Sequence, residues 1–339
     1  MQMHRTALLA AALVAAIGCT ATAQAANEKT SLSLPATTVT FMPVYIAKEM
    51  GFWDKLGLDV EIHNITGMGT TNAMLAGSVD FAVQSGPSLI RGNMRGQKMV
   101  GIALMASGVA FEIDADKKLA GKLNMKSPFK DRIAFLKGKT ISVDSPKTVV
   151  EGFLRYIAAK GGLDPDRDFT MTYMQPPAGI AGLVGGSLNA AVLNFPWTIS
   201  AQRQGAVLVA SGLSDVPELL PTTATTTTTR PDFCKEHHSI CLKLVKGYIQ
   251  AHALLLDHPD KALAVAKKIM PKTNPEDISK SFDSLLRTTP RVPEYQEAYF
   301  THAQQLMLTG GMIKKDEMLT SFKDIYTNEF VNLASQPGS

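Results

Sequence analysis

The chain is short of the residues that do most enzymatic and metal chemistry. Its 339 residues include three cysteines and seven histidines. The histidines (His4, His63, His237, His238, His252, His258 and His302) lack metal-ligand spacing, so no metal centre is expected. No G-x-S-x-G elbow occurs, which removes one large class of hydrolases. LKGKT ends like a phosphate-binding loop, yet Ile133 stands where that motif needs its first glycine. GMGTTN nearly completes a dinucleotide fingerprint, but Asn72 fills the position that close helix packing reserves for glycine or alanine. Neither a cofactor nor a catalytic set is expected.

Charge is scarce too. Charged residues make up 19% of the chain and the net charge is +4, too mild for a nucleic-acid partner, which wants a concentrated basic patch. Long apolar runs are missing: the stretch from Ala7 to Ile17 is well below the about 20 residues that span a bilayer. With Arg5 before it and Ala23-Gln24-Ala25 after it, this stretch has the layout of an export signal over residues 1–25. Cleavage after Ala25 is preferred to lipoprotein acylation at Cys19, because Ala16 stands where a larger aliphatic is usual. An exported chain of this kind is expected in the periplasm. There Cys234 and Cys241 could be bridged or free. On one straight helix they would sit about 10.5 Å apart, so a bridge requires a break between them.

What is present is alternation. SLSLPA, LDVEIHNI, DFAVQS and MVGIALMAS read as strands, and PVYIAKEMG, TTNAMLAG and PSLIRGNMRG as the helices between them. A looser, charged stretch from about Phe111 to Lys137 follows. The pattern then resumes with KTISVDS, FTMTYM, LNAAVLN and AVLVAS as strands. TVVEGFLRYIAAKGG, GIAGLVGG and PWTISAQRQG are the helices among them. PTTATTTTTRP, from Pro221 to Pro231, is β-branched and suits an extended strand returning to the first block better than a linker. After it the chain is nearly all helix. This is an α/β chain with largely parallel sheets in two lobes: 26–110 with 222–339 as lobe I, and 111–221 as lobe II.

The chain also repeats itself. GSVDFAVQSGPS from Gly77 is echoed by GSLNAAVLNFPW from Gly186, with glycine, serine, alanine, valine and proline in matching places. Each copy ends a strand and opens a helix, which is where open α/β sheets bind ligands. Two such places suggest a cleft between lobes, edged by Pro35–Thr38, Phe41–Met42, Gly69–Thr71, Gln84–Ser85, Asp144–Thr148 and Asn194–Trp197. Thr70, Thr71 and Ser145 serve equally well as helix caps, and Gln84 and Asn194 as turn closers. No arginine or lysine stands at these positions, only Lys147 nearby.

PVYIAKEMGFWDKLGLDVEI, GTTNAMLAGSVDFAVQSG, LKGKTISV, GGLDPDRDFTMTYM and NFPW together resemble the nitrate/sulfonate/taurine-type periplasmic solute-binding proteins of ABC importers. The resemblance covers most of the chain beyond the export signal. It implies a type II periplasmic-binding-protein fold: two α/β lobes, a hinge, and a helical C-terminal tail on lobe I. It implies a non-enzymatic monomer that captures a small molecule and delivers it to a permease in the inner membrane. The ligand contacts it implies are Phe41, Met42, Gly69, Thr70, Thr71, Gln84, Ser85, Ser145, Thr148, Asn194 and Trp197. A small organic anion, sulfonate- or taurine-like or a carboxylate, is the expected solute, because helix N-termini converge on the cleft. A neutral pyrimidine or thiamine precursor is the alternative, and a pyrimidine-synthesising enzyme of the same fold is a second. Asn189 departs from the family pattern, which carries Asp there.

Overall fold

The computed structural model describes residues 26–119 and 121–336. The expected export signal over residues 1–25, with Cys19, lies outside the described residues. The first part of the chain forms β1 (Glu28–Leu34), α1 (Met42–Glu49), α2 (Phe52–Lys55), β2 (Leu58–Asn64), α3 (Gly69–Leu75), β3 (Phe81–Ser85), α4 (Gly86–Met94) and β4 (Val100–Ala106). It then forms β5 (Phe111–Ala115), α5 (Phe129–Ala134), β6 (Thr140–Val143), α6 (Val149–Lys160), β7 (Thr170–Tyr173), α7 (Pro176–Gly185), β8 (Ala190–Asn194), α8 (Trp197–Arg203) and β9 (Val207–Ser211). The polythreonine strand β10 (Thr225–Thr229) precedes α9 (Phe233–Glu236), α10 (His238–Asp257), α11 (Pro259–Ile269), α12 (Pro275–Thr288), α13 (Glu297–Thr309) and α14 (Glu329–Ala334).

These strands make two five-stranded sheets, ordered β2-β1-β3-β10-β4 and β7-β6-β8-β5-β9. In each sheet the first three strands are parallel and the fourth is antiparallel to both neighbours. That fourth strand is, in both cases, the first one the chain lays down after crossing from the other lobe. The echoed stretches therefore fall on equivalent strands: β3 and β8 are each third in their sheet and each run into a helix. The two crossings pass very close to one another. A Cβ on Gly212 would lie 2.2 Å from the Val109 carbonyl oxygen, so no side chain fits there.

β10 is buried along its whole length in the middle of a sheet, which excludes the linker reading. Threonine is tolerated there because the hydroxyls find partners. Thr227 donates to Tyr248 Oη (3.2 Å), Thr228 to the Ala82 carbonyl (3.1 Å) and Thr229 to the Asp80 carbonyl (2.7 Å); Thr226 bonds Tyr295 Oη. A buried hydroxyl left unpaired would instead cost about 1–3 kcal/mol.

The stretch read as loose contains β5 and α5. Phe-Glu-Ile-Asp-Ala does alternate with the period of a strand, but its acids, Glu112 and Asp114, face inward rather than to water. Inward acids defeat a reading in which the polar side is the wet side.

The helical tail packs on the first lobe, with α10 against α1, α11 and α14. The indole N–H of Trp53 donates to the Leu244 carbonyl (3.0 Å) and its ring meets Tyr248 edge-on. The tail also reaches the second lobe: α13 lies against α6, and Arg203 on α8 clasps the fully buried Asp277 on α12 at 2.9 Å. Cys234 and Cys241 are bonded, with Cα atoms 5.7 Å apart. The break a bridge requires lies at His237, where α9 has ended and α10 begins.

Candidate functional site

Between the sheets lies a cavity of about 360 Å³. The first lobe contributes Pro35–Thr38, Phe41, Thr70, Thr71, Gln84 and Ser85; the second contributes Phe111, Asp144, Ser145, Thr148, Asn194 and Trp197. Strand ends and helix starts supply nearly all of them, because parallel strands of one sheet all finish at the same edge. Ser85 caps α4, accepting from the Ser88 amide (3.2 Å), and Thr148 caps α6, accepting from the Glu151 amide (3.4 Å). Capping and lining are thus done by the same side chains.

Two of the proposed contacts are placed elsewhere. Met42 opens α1 but is fully buried in the core beneath the first sheet. Gly69 opens α3 with its Cβ direction toward Ile65, whose Cγ2 would be 2.8 Å away. Gln84 lines the cavity but is held by the protein. It accepts from Thr71 Oγ1 (2.6 Å) and donates to Thr228 Oγ1 (2.8 Å), tying β3 to α3 and β10. Asn189, the family departure, accepts from the Thr140 amide (3.0 Å) at a strand junction away from the cavity.

Phe111 and Gln175–Pro177 also line the cavity, beyond the residues the sequence leads one to expect. The Gln-Pro-Pro at the start of α7 carries the same signal as Gly-Pro-Ser and Phe-Pro-Trp, a proline opening a helix after a strand. Phe111 opens a strand whose alternation is masked by its inward acids, Glu112 and Asp114.

The electrostatics of the lining are unusual for an anion site. Asp144 is its only charged side chain among the described residues. Its Oδ1 accepts from the Ser145 amide (2.6 Å) and Thr148 Oγ1 (2.9 Å), and desolvation raises its pKa. The amides at the start of α4 are already used: Gly86 bonds the Ala224 carbonyl, Ser88 bonds Ser85, and Pro87 has none. At the start of α7, Pro176 and Pro177 have no amide hydrogen, and Ala178 and Gly179 both bond the Gln175 carbonyl. Thr38, 2% exposed, has a buried hydroxyl with no hydrogen-bond partner among the described residues. A ligand in the cavity is the natural partner for it.

One hydrogen bond joins the lobes beside the cavity. Arg91 Nη1 on α4 donates to the Lys147 carbonyl (2.9 Å). Lys147 is held at φ 64°, a left-handed conformation that costs a side-chain-bearing residue about 1–2 kcal/mol. Arg91→Ala is therefore expected to favour lobe opening. X-ray scattering of the ligand-free protein should give a larger radius of gyration than wild type, and identical curves would rule out this latch.

Two α/β lobes of like topology with a lined cavity between them define a binding-protein architecture. The chain belongs to the NMT1-like family, whose model matches residues 25–270. It is similar to the nitrate/nitrite binding protein NrtA of Synechocystis sp., 26% identical over 176 residues, 48% of this chain and 40% of that protein. The chain thus matches less than half the length of this curated relative. The solved structure of NrtA from Synechocystis superposes with a TM-score of 0.72 at 19% identity, covering 92% of this chain and 89% of that one. The alkanesulfonate-binding protein SsuA of Xanthomonas axonopodis pv. citri, bound to MOPS, gives 0.69 at 18% identity over 89% and 99%. The desulfurization enzyme DSZB gives 0.62 at 17% over 91% and 99%. The periplasmic-binding-protein fold and the solute-binding family likeness stand. Because DSZB shares the fold, the fold does not choose between binding and catalysis.

Proposed function

We propose that this chain is the solute-binding component of an ABC importer, working in the periplasm. It would close its lobes on one small organic solute and pass it to a membrane permease. The observation that carries this reading is the cavity, with both lobes supplying hydroxyls, amides and aromatic faces and Thr38 holding an unmet hydroxyl. Ligand contacts on both lobes bias a hinge toward closure. The family and the likeness to NrtA and SsuA support it. Against the enzyme reading, the described lining contains no His, Cys or Lys, and Asp144 is its one titratable group.

Of the helix starts at the cavity, the first turn of α6, where Thr148, Val149 and Val150 line the wall, keeps first-turn amides for an acidic group of the solute, with the Asp144 carboxylate set beside it. The proposed contacts are Phe41, Thr70, Thr71, Ser85, Ser145, Thr148, Asn194 and Trp197. A thermal-shift screen against sulfonates, inorganic anions, carboxylates and pyrimidines tests the reading. Ligand at 100 times its Kd should stabilise by about 2.7 kcal/mol. Trp197→Ala combined with Ser145→Ala should abolish the shift while leaving the ligand-free melting temperature within a few degrees. A shift that survives both changes would put the ligand elsewhere.

A further inference from the structure

We infer that Asp144 selects the solute: the captured molecule presents a protonated amine or an N–H donor to this carboxylate. The inference rests on the capture reading above and narrows its ligand class. Three observations lead to it. First, Asp144 is the one charged side chain in the described lining, so a solute meets a negative group with no protein cation set against it. Second, two of the neighbouring charges are otherwise engaged, and Lys147 is not part of the lining. Arg91 is committed to the Lys147 carbonyl, and Glu151 takes the Lys147 amide (2.6 Å) and the Arg155 guanidinium (2.6 Å). Third, both hydrogen bonds that other residues donate to Asp144 go to Oδ1. A carboxylate has about four acceptor positions, so Asp144 keeps capacity for a further donor.

Covering this half-buried carboxylate with a solute costs free energy unless the solute supplies a partner for it. A donor on the solute removes that cost and forms a charge-assisted hydrogen bond, the stronger kind. Phe41, Phe111 and Trp197 around the same cavity suit a planar nitrogen ring or an ammonium group, which is drawn to aromatic faces. Bare anions such as nitrate or a simple alkanesulfonate would bring a second negative charge to Asp144 instead. An acidic group on the solute is compatible only if the same molecule also carries the nitrogen.

The test is calorimetric titration of wild type with matched pairs that differ by one amino group. Ethanesulfonate is compared with 2-aminoethanesulfonate, propanoate with 3-aminopropanoate, and pyrimidine with 4-aminopyrimidine. The amino member of at least one pair should bind at least tenfold more tightly than its partner. Asp144→Asn should erase that advantage. Asparagine keeps Oδ1 as an acceptor for Ser145 and Thr148, so the loop is preserved, and an unchanged melting temperature checks it. If the member without the amino group binds as well as its amino partner in every pair, or Asp144→Asn leaves the tenfold ratio intact, the inference fails and the capture reading stands. If no member of any pair binds, both fail.

Discussion

Arg132→Met is expected to lower stability by about 3–5 kcal/mol, the cost of leaving a buried charge unpaired. Arg132 on α5 is 4% exposed. Its guanidinium donates to both oxygens of Asp215, at 3.1 and 2.7 Å, and its Nε donates to the Ser127 carbonyl (3.1 Å). Nη1 also reaches the Val209 carbonyl in β9. Asp215 in turn accepts from the Ser211 amide (2.9 Å). This cluster anchors the end of β9, the last strand before the chain crosses back to the first lobe. With methionine, Asp215 would stay buried with its main partner gone. Urea unfolding should show a lower midpoint at an unchanged slope. The double variant Arg132→Met with Asp215→Leu should recover most of the loss, since an apolar replacement of a buried pair is often neutral. A single-variant loss below about 1 kcal/mol would mean that water already reaches the pair.

The second large effect is in the pH dependence of stability. Asp114 and Glu112 on β5 share Thr198 Oγ1, at 2.6 Å each, and the amide of Gln202, at 2.9 and 3.0 Å. Thr198 has one hydrogen to give, so it can donate to only one of these two oxygens. A proton on the other carboxyl would complete the set. Desolvation, with the Glu112 charge adding to it, pushes the Asp114 pKa up to about 7 from 3.8. Desolvation also raises Glu112. The folded state therefore holds more protons than the unfolded one between pH 3.8 and 7. The contribution of Asp114 is fully present below pH 3.8 and is lost as pH rises toward 7, about 4 kcal/mol across the window.

His252 works in the opposite direction. Fully buried on α10, it bonds the Pro290 carbonyl through Nδ1 (2.6 Å), and its Nε2 has no partner among the described residues. Burial lowers its pKa to about 4 from 6.5, so the unfolded state binds the extra proton. This term strengthens the fold as pH rises from 4 to 6.5, by about 3 kcal/mol. The two slopes nearly cancel in the wild type. Asp114→Asn should gain on wild type by about 4 kcal/mol between pH 4 and 7, while His252→Gln should lose by about 3 kcal/mol between pH 4 and 6.5. Chemical denaturation at half-unit pH steps checks both. A variant-minus-wild-type difference that stays flat with pH would show that the native group titrates as it does in the unfolded chain.

Much of this molecule was legible from local chemistry. Alternating Leu58, Val60 and Ile62 mark β2, and Val150, Phe153, Leu154 and Ile157 mark the buried face of α6. β-branching makes the Thr225–Thr229 run a strand. The echo of Gly77 in Gly186 pointed to equivalent strands, and the prolines and hydroxyls after them to helix starts, because propensity and capping act within a few residues. What those signals do not carry is direction. Met42 and Gly69 sit beside residues that line the cavity, yet packing against the core and against Ile65 turns them away. Glu112 and Asp114 looked like solvated loop residues until α8 brought Thr198 and Gln202 over them.

The converging helix starts suggested a home for an anion, and only the folded chain shows which of their amides are spent. Ala224, beside β10, takes the Gly86 amide from 138 residues further along the chain. The sequence by itself determined most of the strands and helices, their arrangement in two like blocks and the hydroxyls, amides and aromatics at the cleft edge. The tertiary structure alone decided which polar groups are satisfied within the protein and which, like the Thr38 hydroxyl, are left without a partner among the described residues. Satisfaction is a matter of partners distant in sequence, and local residue chemistry contains no record of them.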